Sequence, residues 1–142
     1  MKIDACIEKD GRTQRVLEGV ADSVGKGVKN IVIVGRSMQD CQFHLMPRLV
    51  GVLSDRNLNV ERLRCLDVIS SDSRIRFISC NLGLSPFKGL RDTEIWLDNA
   101  VDPDFEYKLS AHGFLYKDYR DKKIKGMTDE DLAHAFANFP SK

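Results

Sequence analysis

Apolar residues follow a helical period in the first part of the chain and then form a continuous run. Between residues 12 and about 24 they recur every three or four positions, which predicts an amphipathic helix. They are Val16, Leu17, Val20, Ala21 and Val24. Gly25 and Gly27 predict the end of this helix. The next segment, Asn30–Gly35, is almost entirely apolar and rich in β-branched residues, which is typical of a parallel strand covered by helices on both faces.

A second helical pattern begins after Ser37, whose side chain can cap it. Its apolar stripe consists of Met38, Cys41, Leu45, Leu49, Val52 and Leu53. Pro47 lies inside this stripe and has no backbone N–H, so we expect a kink or a restart of the helix there. The alternation of helix and apolar strand indicates an α/β fold.

Shorter patterns predict three further strands, over residues 61–65, 74–80 and 93–98. Residues 68–69 either extend the first of them or belong to the next. Residues 70–73 are typical of a turn and residues 81–89 of a loop, because Ser, Asp, Gly and Pro dominate them. Near the ends of the chain, residues 1–6 predict a weak strand, and Thr128 with Asp131 predicts a capped helix to about Asn138.

Composition narrows the class of protein. The 142 residues suffice for one domain with a core, spanning 1–142, and are too few for two ordinary domains. A formal net charge of +1 means that any basic patch must be local. The cysteines (Cys6, Cys41, Cys65 and Cys80) are widely spaced, which disfavours a zinc site and fits a reducing compartment. The sequence shows no signal peptide and no membrane-spanning run, so we expect a cytoplasmic protein that does not contact a membrane.

Residues 6–13 partly match the phosphate-binding template G-x-x-x-x-G-K-[ST], with Gly11 and Thr13 at their expected places. Cys6 stands where the first glycine belongs, and Arg12 stands where the lysine belongs. A loop of this kind surrounds an anion with backbone N–H groups and ends at a helix N-terminus, where the helix dipole favours negative charge. The alternative interpretation is that Gly11 forms a turn and Thr13 is a helix N-cap.

The order of the elements along the chain is also informative about the fold. A phosphate-type loop, a helix, the apolar strand, a second helix, a strand pair and a strand ending in Asp98 follow one another. This order resembles the first RecA-like lobe of helicases and of phage terminase large subunits, over about residues 3–101. The resemblance implies an α/β three-layer sandwich with a mostly parallel sheet, of the RecA-like P-loop type. Residues 102–142 would then be a looser C-terminal extension that ends in a short helix.

The resemblance also implies a site. The sequence Gly11-Arg12-Thr13 would end the Walker A loop, and Gln14 and Arg15 would continue the nucleotide-binding segment into the helix. Residues 95–98 would be Walker B, with Asp98 reaching Mg²⁺ through water and Thr13 as the second metal-binding residue. Asp98 and Asn99 would be the catalytic pair, and ATP with Mg²⁺ would be the ligand. The loop after the apolar strand, with Arg36, would be the one that often faces nucleic acid in helicases.

Departures from the family pattern bear on activity. Asn99 occupies the position where the family usually carries a glutamate that orients the attacking water, and an amide cannot accept a proton. General-base help is worth about 10²–10⁴-fold, so hydrolysis should be slow or absent. We expect no second lobe in this chain, and that lobe or a neighbouring subunit usually supplies an arginine finger worth about 10³–10⁵-fold.

Other basic residues suggest contact with nucleic acid. Arg62, Arg64, Arg74 and Arg76 alternate along two predicted strands and could form one stripe that reaches phosphates, or simply a solvated strand face. Residues 116–125 interleave aromatic and cationic side chains, a composition suited to single strands, although two aspartates favour a plain exposed segment.

Three hypotheses of function follow. The first is a degenerate, hydrolysis-deficient P-loop domain that binds a nucleotide or another phosphate ligand. The second is a pseudo-NTPase with an empty loop, retained as a protein-binding module such as a small phage accessory or inhibitor protein. The third is an ATPase subunit of a helicase or DNA-packaging assembly, completed by a partner. The sequence does not identify a partner or an oligomeric state.

Overall fold

A mixed β-sheet forms the centre of the fold in the computed structural model, which describes residues 11–64, 66–98 and 101–121. Five strands of this described part pair in the order β2-β3-β4-β1-β5. They are β1 (Asn30–Gly35), β2 (Glu61–Arg64), β3 (Asp67–Ser70), β4 (Ser73–Ser79) and β5 (Thr93–Leu97). The predicted strand at residues 1–6 and the predicted helix that begins near Thr128 lie outside the described residues.

The apolar strand β1 is central and parallel to both of its neighbours, as its composition predicts. Ile31 lies opposite Ile75 of β4, and Val32 lies opposite Ile95 of β5. Beyond β5, Lys117 forms a parallel bridge with Trp96; its N–H donates to the Ile95 carbonyl at 2.8 Å. Residue 117 therefore continues the hydrogen bonding of the sheet past β5.

The sheet is mixed, so the expectation of a mostly parallel sheet is corrected to a partly parallel one. Strand β3 runs antiparallel to β2 and to β4. A turn of two residues, Ser71 and Asp72, joins β3 to β4, with Ser70 opposite Ser73. So short a turn can connect only antiparallel neighbours, because a parallel pair needs a long crossover. Residues 68–69 thus belong to β3 and do not extend β2.

One helical segment precedes β1 and another follows it. Helix α1 (Arg12–Gly25) has the predicted bounds to within one residue. The second segment comprises α2 (Met38–Asp40), a π-helical turn (Cys41–Leu45) and α3 (Met46–Asp55). The Ser37 hydroxyl accepts a 3.0 Å hydrogen bond from the Asp40 N–H, which confirms the predicted cap. Pro47 lies in the first turn of α3, directly after the π-helical turn, so the helix changes its hydrogen-bonding pattern at the place where a kink or a restart is predicted.

Each face of the sheet carries its own apolar cluster, and helices contribute to both. On one face, α1 and α3 pack against Ile31, Ile33 and Trp96. On the other, α4 (Pro103–Ala111) packs Phe105 and Leu109 against the remaining apolar residues of β1 and β5. Alternate residues of β1 thus enter opposite clusters, which explains why the whole strand is apolar. In the part of the chain that the structure describes, no helix is long and apolar enough to cross a membrane.

Candidate functional site

The carboxyl ends of β1 and β5 meet beside the N-terminus of α1. Asp98 follows β5 directly, and its backbone N–H donates a 3.0 Å hydrogen bond to the Val34 carbonyl of β1. After β1 the chain passes to α2 and α3 on one face, whereas after β5 it passes to α4 on the other. A crevice between parallel strands whose connections diverge in this way is where open α/β sheets bind ligands.

Thr13 and Asp98, which the resemblance assigns to one metal site, are in direct contact. The Thr13 hydroxyl donates a 2.9 Å hydrogen bond to Oδ1 of Asp98, across 85 positions of the sequence. Both residues are buried, at 9% and 5% exposure. A hydroxyl and a carboxylate are oxygen ligands of the kind that Mg²⁺ prefers. The pair therefore offers suitable donors for Mg²⁺ or its bound water, at the end of a helix.

Gly11 takes the N-cap position of α1 with φ of 72° and ψ of 25°, a left-handed conformation that glycine adopts without strain. Its carbonyl accepts a 2.7 Å hydrogen bond from the Arg15 N–H, which opens the helix. Thr13 consequently lies inside the first turn and is not the N-cap, so its hydroxyl is directed across to the sheet. This geometry departs from the alternative interpretation, in which Thr13 caps the helix.

Arg12 and Arg15 extend towards the C-terminal segment of the described chain. Their guanidinium carbons lie 5.1 Å and 5.5 Å from the ring centroid of Tyr119, and that of Arg120 lies 5.6 Å away. Arg15 is 1% exposed, and its Nε donates a 3.2 Å hydrogen bond to the Tyr119 carbonyl. Burial of a guanidinium is tolerated where the charge has hydrogen-bond and ring partners. Three guanidinium groups therefore lie around the Tyr119 ring, beside the N-terminus of α1.

Asp118 moderates this positive cluster. Its carboxylate is buried and accepts hydrogen bonds from the backbone and the guanidinium of Arg120. Hydrogen bonding to Asp118 raises the pKa of Arg120, against the opposing effect of burial. The described part of the aromatic and cationic segment is therefore tied to the fold: Asp118 is buried, and Tyr119 is half-buried against α1.

Gln14 takes part in a polar network between α1 and α3. Its Nε2 donates to Glu18 at 2.8 Å, and its Oε1 accepts from Nη2 of Arg48 at 3.2 Å. Arg56 extends the same network by pairing with Glu18 and, at 2.6 Å, with Asp22. Within the described part of the chain, these contacts of Gln14 join α1 to α3 and do not involve Thr13 or Asp98.

The register distributes the predicted arginine stripe over different rows of the sheet. Arg64 and Arg76 both lie opposite Asp67 on its two neighbouring strands, whereas a β-bulge leaves Arg62 opposite Val68. Arg74 forms a two-point ion pair with Asp67. Arg36 lies elsewhere, at the end of β1, where it pairs with Asp40 at 3.8 Å.

Sequence reasoning missed the close packing of Gly35, at the end of β1, against Cys41. A Cβ on Gly35 would lie 2.6 Å from the Cys41 sulfur and 2.8 Å from Cδ1 of Leu45. Burial raises the pKa of the Cys41 thiol to about 12, so the group is a neutral packing element at physiological pH. The signal available in the sequence was a glycine that ends a buried strand just before a helix.

Asn99, the residue that the resemblance pairs with Asp98, lies outside the described residues. Within the described part of the chain, no group of three or more His, Cys, Asp or Glu side chains has the geometry to hold a metal ion by itself. A cation at Thr13 and Asp98 would therefore need water or ligand oxygens to complete its shell. No family model, curated protein or solved structure matches this chain.

Proposed function

We propose that this chain is a degenerate P-loop domain of RecA-like type that binds a nucleotide or another phosphate ligand together with Mg²⁺ and hydrolyses it poorly. The observation that carries the proposal is the buried 2.9 Å hydrogen bond between Thr13 and Asp98. It joins a hydroxyl in the first turn of the helix that follows Gly11 to the acid at the end of a parallel strand. Those are the two groups that P-loop proteins use around Mg²⁺.

Each residue has a role in this proposal. Gly11 lets the backbone come close to the phosphate, and the first turn of α1 supplies N–H donors and the positive end of the helix dipole. Thr13 and Asp98 hold Mg²⁺, the aspartate through water. Arg12 contributes positive charge as a planar fork, where a lysine would offer a compact ammonium.

Poor hydrolysis rests on what the catalytic position lacks. Asn99 can orient a water molecule by hydrogen bonding but cannot take its proton. Without a base at residue 99, a contribution of about 10²–10⁴-fold is missing, and a finger worth about 10³–10⁵-fold would have to come from a partner. The bound nucleotide would then be a structural or regulatory ligand and not a source of energy through hydrolysis.

A second candidate is a pseudo-NTPase that serves as a protein-binding module with an empty loop. Supporting it, Thr13 donates directly to Asp98 and Arg12 lies over the Tyr119 ring, so both groups already have partners within the chain. The third hypothesis, an ATPase subunit of a helicase or DNA-packaging assembly, requires a partner that brings the base and the finger. All three are proposed for a cytoplasmic setting.

Thermal unfolding and calorimetry with ATP, ADP and GTP, each with and without Mg²⁺, test the first proposal. A ligand at a hundred times its Kd adds about 2.7 kcal/mol to the free energy of unfolding. We expect Thr13→Ser to keep the Mg²⁺-dependent part of binding and Thr13→Val, which has the same shape without the hydroxyl, to lose it. Asp98→Asn should behave like Thr13→Val, while Asp55→Asn, at the exposed end of α3, serves as its matched control.

The outcomes separate the candidates. Mg²⁺-dependent binding that follows the hydroxyl supports the proposed site. Binding of equal strength in Thr13→Ser, Thr13→Val and Asp98→Asn would place the ligand elsewhere and refute it. A folded wild-type protein that binds none of the nucleotides leaves the empty-loop candidate as the better account.

A further inference from the structure

A groove of about 470 Å³ opens beside the second half of β4, and neither Thr13 nor Asp98 lines it. Its apolar wall consists of Met38, Leu66, Phe77, Ile78 and Pro86. Met38 is 52% exposed, a large apolar side chain on the surface of a helical turn. An open apolar groove of this size accommodates a few side chains of a partner.

Two arginines define the polar side of the groove. Arg64 and Arg76 line it, and the register places both opposite Asp67, so the three side chains share one face of the sheet. Cross-strand placement brings the two positive charges to either side of a single carboxylate. The groove therefore combines an apolar wall with a short basic row.

Asp67 does not compensate the charges of Arg64 and Arg76, because its carboxylate forms an ion pair with Arg74. Nε of Arg74 donates to Oδ1 at 3.1 Å, and Nη2 donates to Oδ2 at 2.6 Å. Among residues 11–64, 66–98 and 101–121, neither Arg64 nor Arg76 forms an ion pair. Two guanidinium groups thus remain available for an anionic partner beside apolar surface.

We infer that this groove docks an acidic peptide segment of a partner protein, in which an apolar side chain is flanked by Asp or Glu residues. Guanidinium groups pair with carboxylates through two parallel hydrogen bonds, and methionine adapts its shape to an apolar anchor. Single-stranded nucleic acid is the poorer fit, because stacking of bases needs exposed rings. The aromatic side chain that lines the groove, Phe77, is only 4% exposed.

Selection of a random dodecapeptide library on the purified full chain tests this inference, with synthetic copies of the selected peptides measured by fluorescence anisotropy. We expect enrichment of sequences that carry at least two acidic residues next to an apolar one. The double variant Arg64→Glu/Arg76→Glu should weaken their binding about tenfold or more, since each lost contact is charge-assisted. Arg62→Glu, the same change in the neighbouring row of β2, is the matched control and should leave binding within about twofold of the wild type.

A second pair of variants tests the apolar wall without touching the sheet. Met38→Asp should weaken the same peptides, while Leu82→Asp, an exposed apolar residue that does not line the groove, should not. Each variant is first compared with the wild type by urea unfolding. The inference is overturned if the selected peptides lack acidic residues, if the double variant binds them as well as Arg62→Glu does, or if a labelled single-stranded oligonucleotide competes for the groove more tightly than the peptides. None of these results depends on a nucleotide at Thr13 and Asp98.

Discussion

The indole of Trp96 lies directly against the backbone of Gly19. A Cβ atom built on Gly19 would be 2.2 Å from Cη2 of that ring. Gly19 is in the interior of α1, where glycine is unfavourable by about 0.5–1 kcal/mol relative to alanine. The contact accounts for its presence, because only a residue without a side chain lets α1 approach β5 so closely. The same approach holds Thr13 of α1 beside Asp98 at the end of β5.

Replacement of Gly19 by alanine therefore tests how tightly helix and sheet are fitted. We expect Gly19→Ala to lower the free energy of unfolding by about 1–3 kcal/mol, the usual cost of overpacking a core. Gly51→Ala is the matched control, since a Cβ on Gly51 of α3 meets nothing within 4 Å. It should raise the free energy of unfolding by up to about 1 kcal/mol through helix propensity. Urea unfolding measures both changes, and a Gly19→Ala protein as stable as the wild type would contradict the close fit.

The elements that the sequence predicts well are those whose pattern is local. The repeat of α1 and the unbroken apolar run of β1 determine their own conformation. Helix α4 was missed because only two of its residues, Phe105 and Leu109, are buried, which leaves almost no periodic signal. The pattern predicts the turn at residues 70–73, but it does not by itself indicate that the strands on either side of the turn pair with each other in antiparallel orientation. The mixed sheet follows from that orientation.

The candidate site also has parts that the sequence predicts and parts that it does not. Thr13 and Asp98 could be paired in advance because each occupies a defined place, one at a helix start and the other at a strand end. The surroundings of Arg12 and Arg15 could not, because Tyr119 arrives from a distant segment; the bond from Arg15 spans 104 positions. A β-bulge shifts Arg62 out of register with Arg64, so the two do not form the expected stripe. The alternation of residue types in the sequence does not reveal a bulge.

Glu94 of β5 gives the fold a defined response to acid. Its carboxylate accepts hydrogen bonds from the Ser23 hydroxyl and, at 2.7 Å, from Nε1 of Trp96, and Lys117 lies 3.3 Å away. Burial alone would raise the pKa of Glu94, but the hydrogen bonds and the charge of Lys117 outweigh it and lower the pKa below its ordinary value of 4.5. The unfolded chain therefore binds the proton more readily than the folded one, and stability rises with pH in this window.

Accordingly, the stabilisation by ionised Glu94 is complete well above pH 4.5 and is lost as the pH falls below that value. We expect the difference in free energy of unfolding between wild type and Glu94→Gln to be constant from pH 7 to pH 6 and to shrink between pH 4.5 and pH 3. Urea unfolding at five or six pH values measures it. Glu61→Gln, at an exposed position of the edge strand, should follow the wild-type curve throughout. Parallel curves for Glu94→Gln and the wild type would show that Glu94 has no such role.

Turnover is the remaining question at Thr13 and Asp98. In the proposed site Thr13 and Asp98 would hold the metal, whereas residue 99 would orient the attacking water, so binding and hydrolysis can be tested separately. Asn99 cannot act as a base, and we expect steady-state phosphate release from ATP to stay at background for the purified protein, with and without DNA. Binding of the nucleotide, measured on the same sample, should persist.

Asn99→Glu supplies the missing carboxylate and is the informative variant. If the ligand binds as proposed, phosphate release should rise above the wild-type rate, by at most the 10²–10⁴-fold or so that a general base contributes. The gain should disappear in Asn99→Glu/Asp98→Ala, because without Asp98 the metal has lost its anchor, whereas Asn99→Gln should stay at background since an amide is retained. Wild-type turnover on the order of 1 s⁻¹, within the ordinary range of enzymes and abolished by Asp98→Ala, would instead establish an active ATPase. In that case the proton must be accepted by a group other than residue 99, and the hydrolysis-deficient reading of the loop would be wrong.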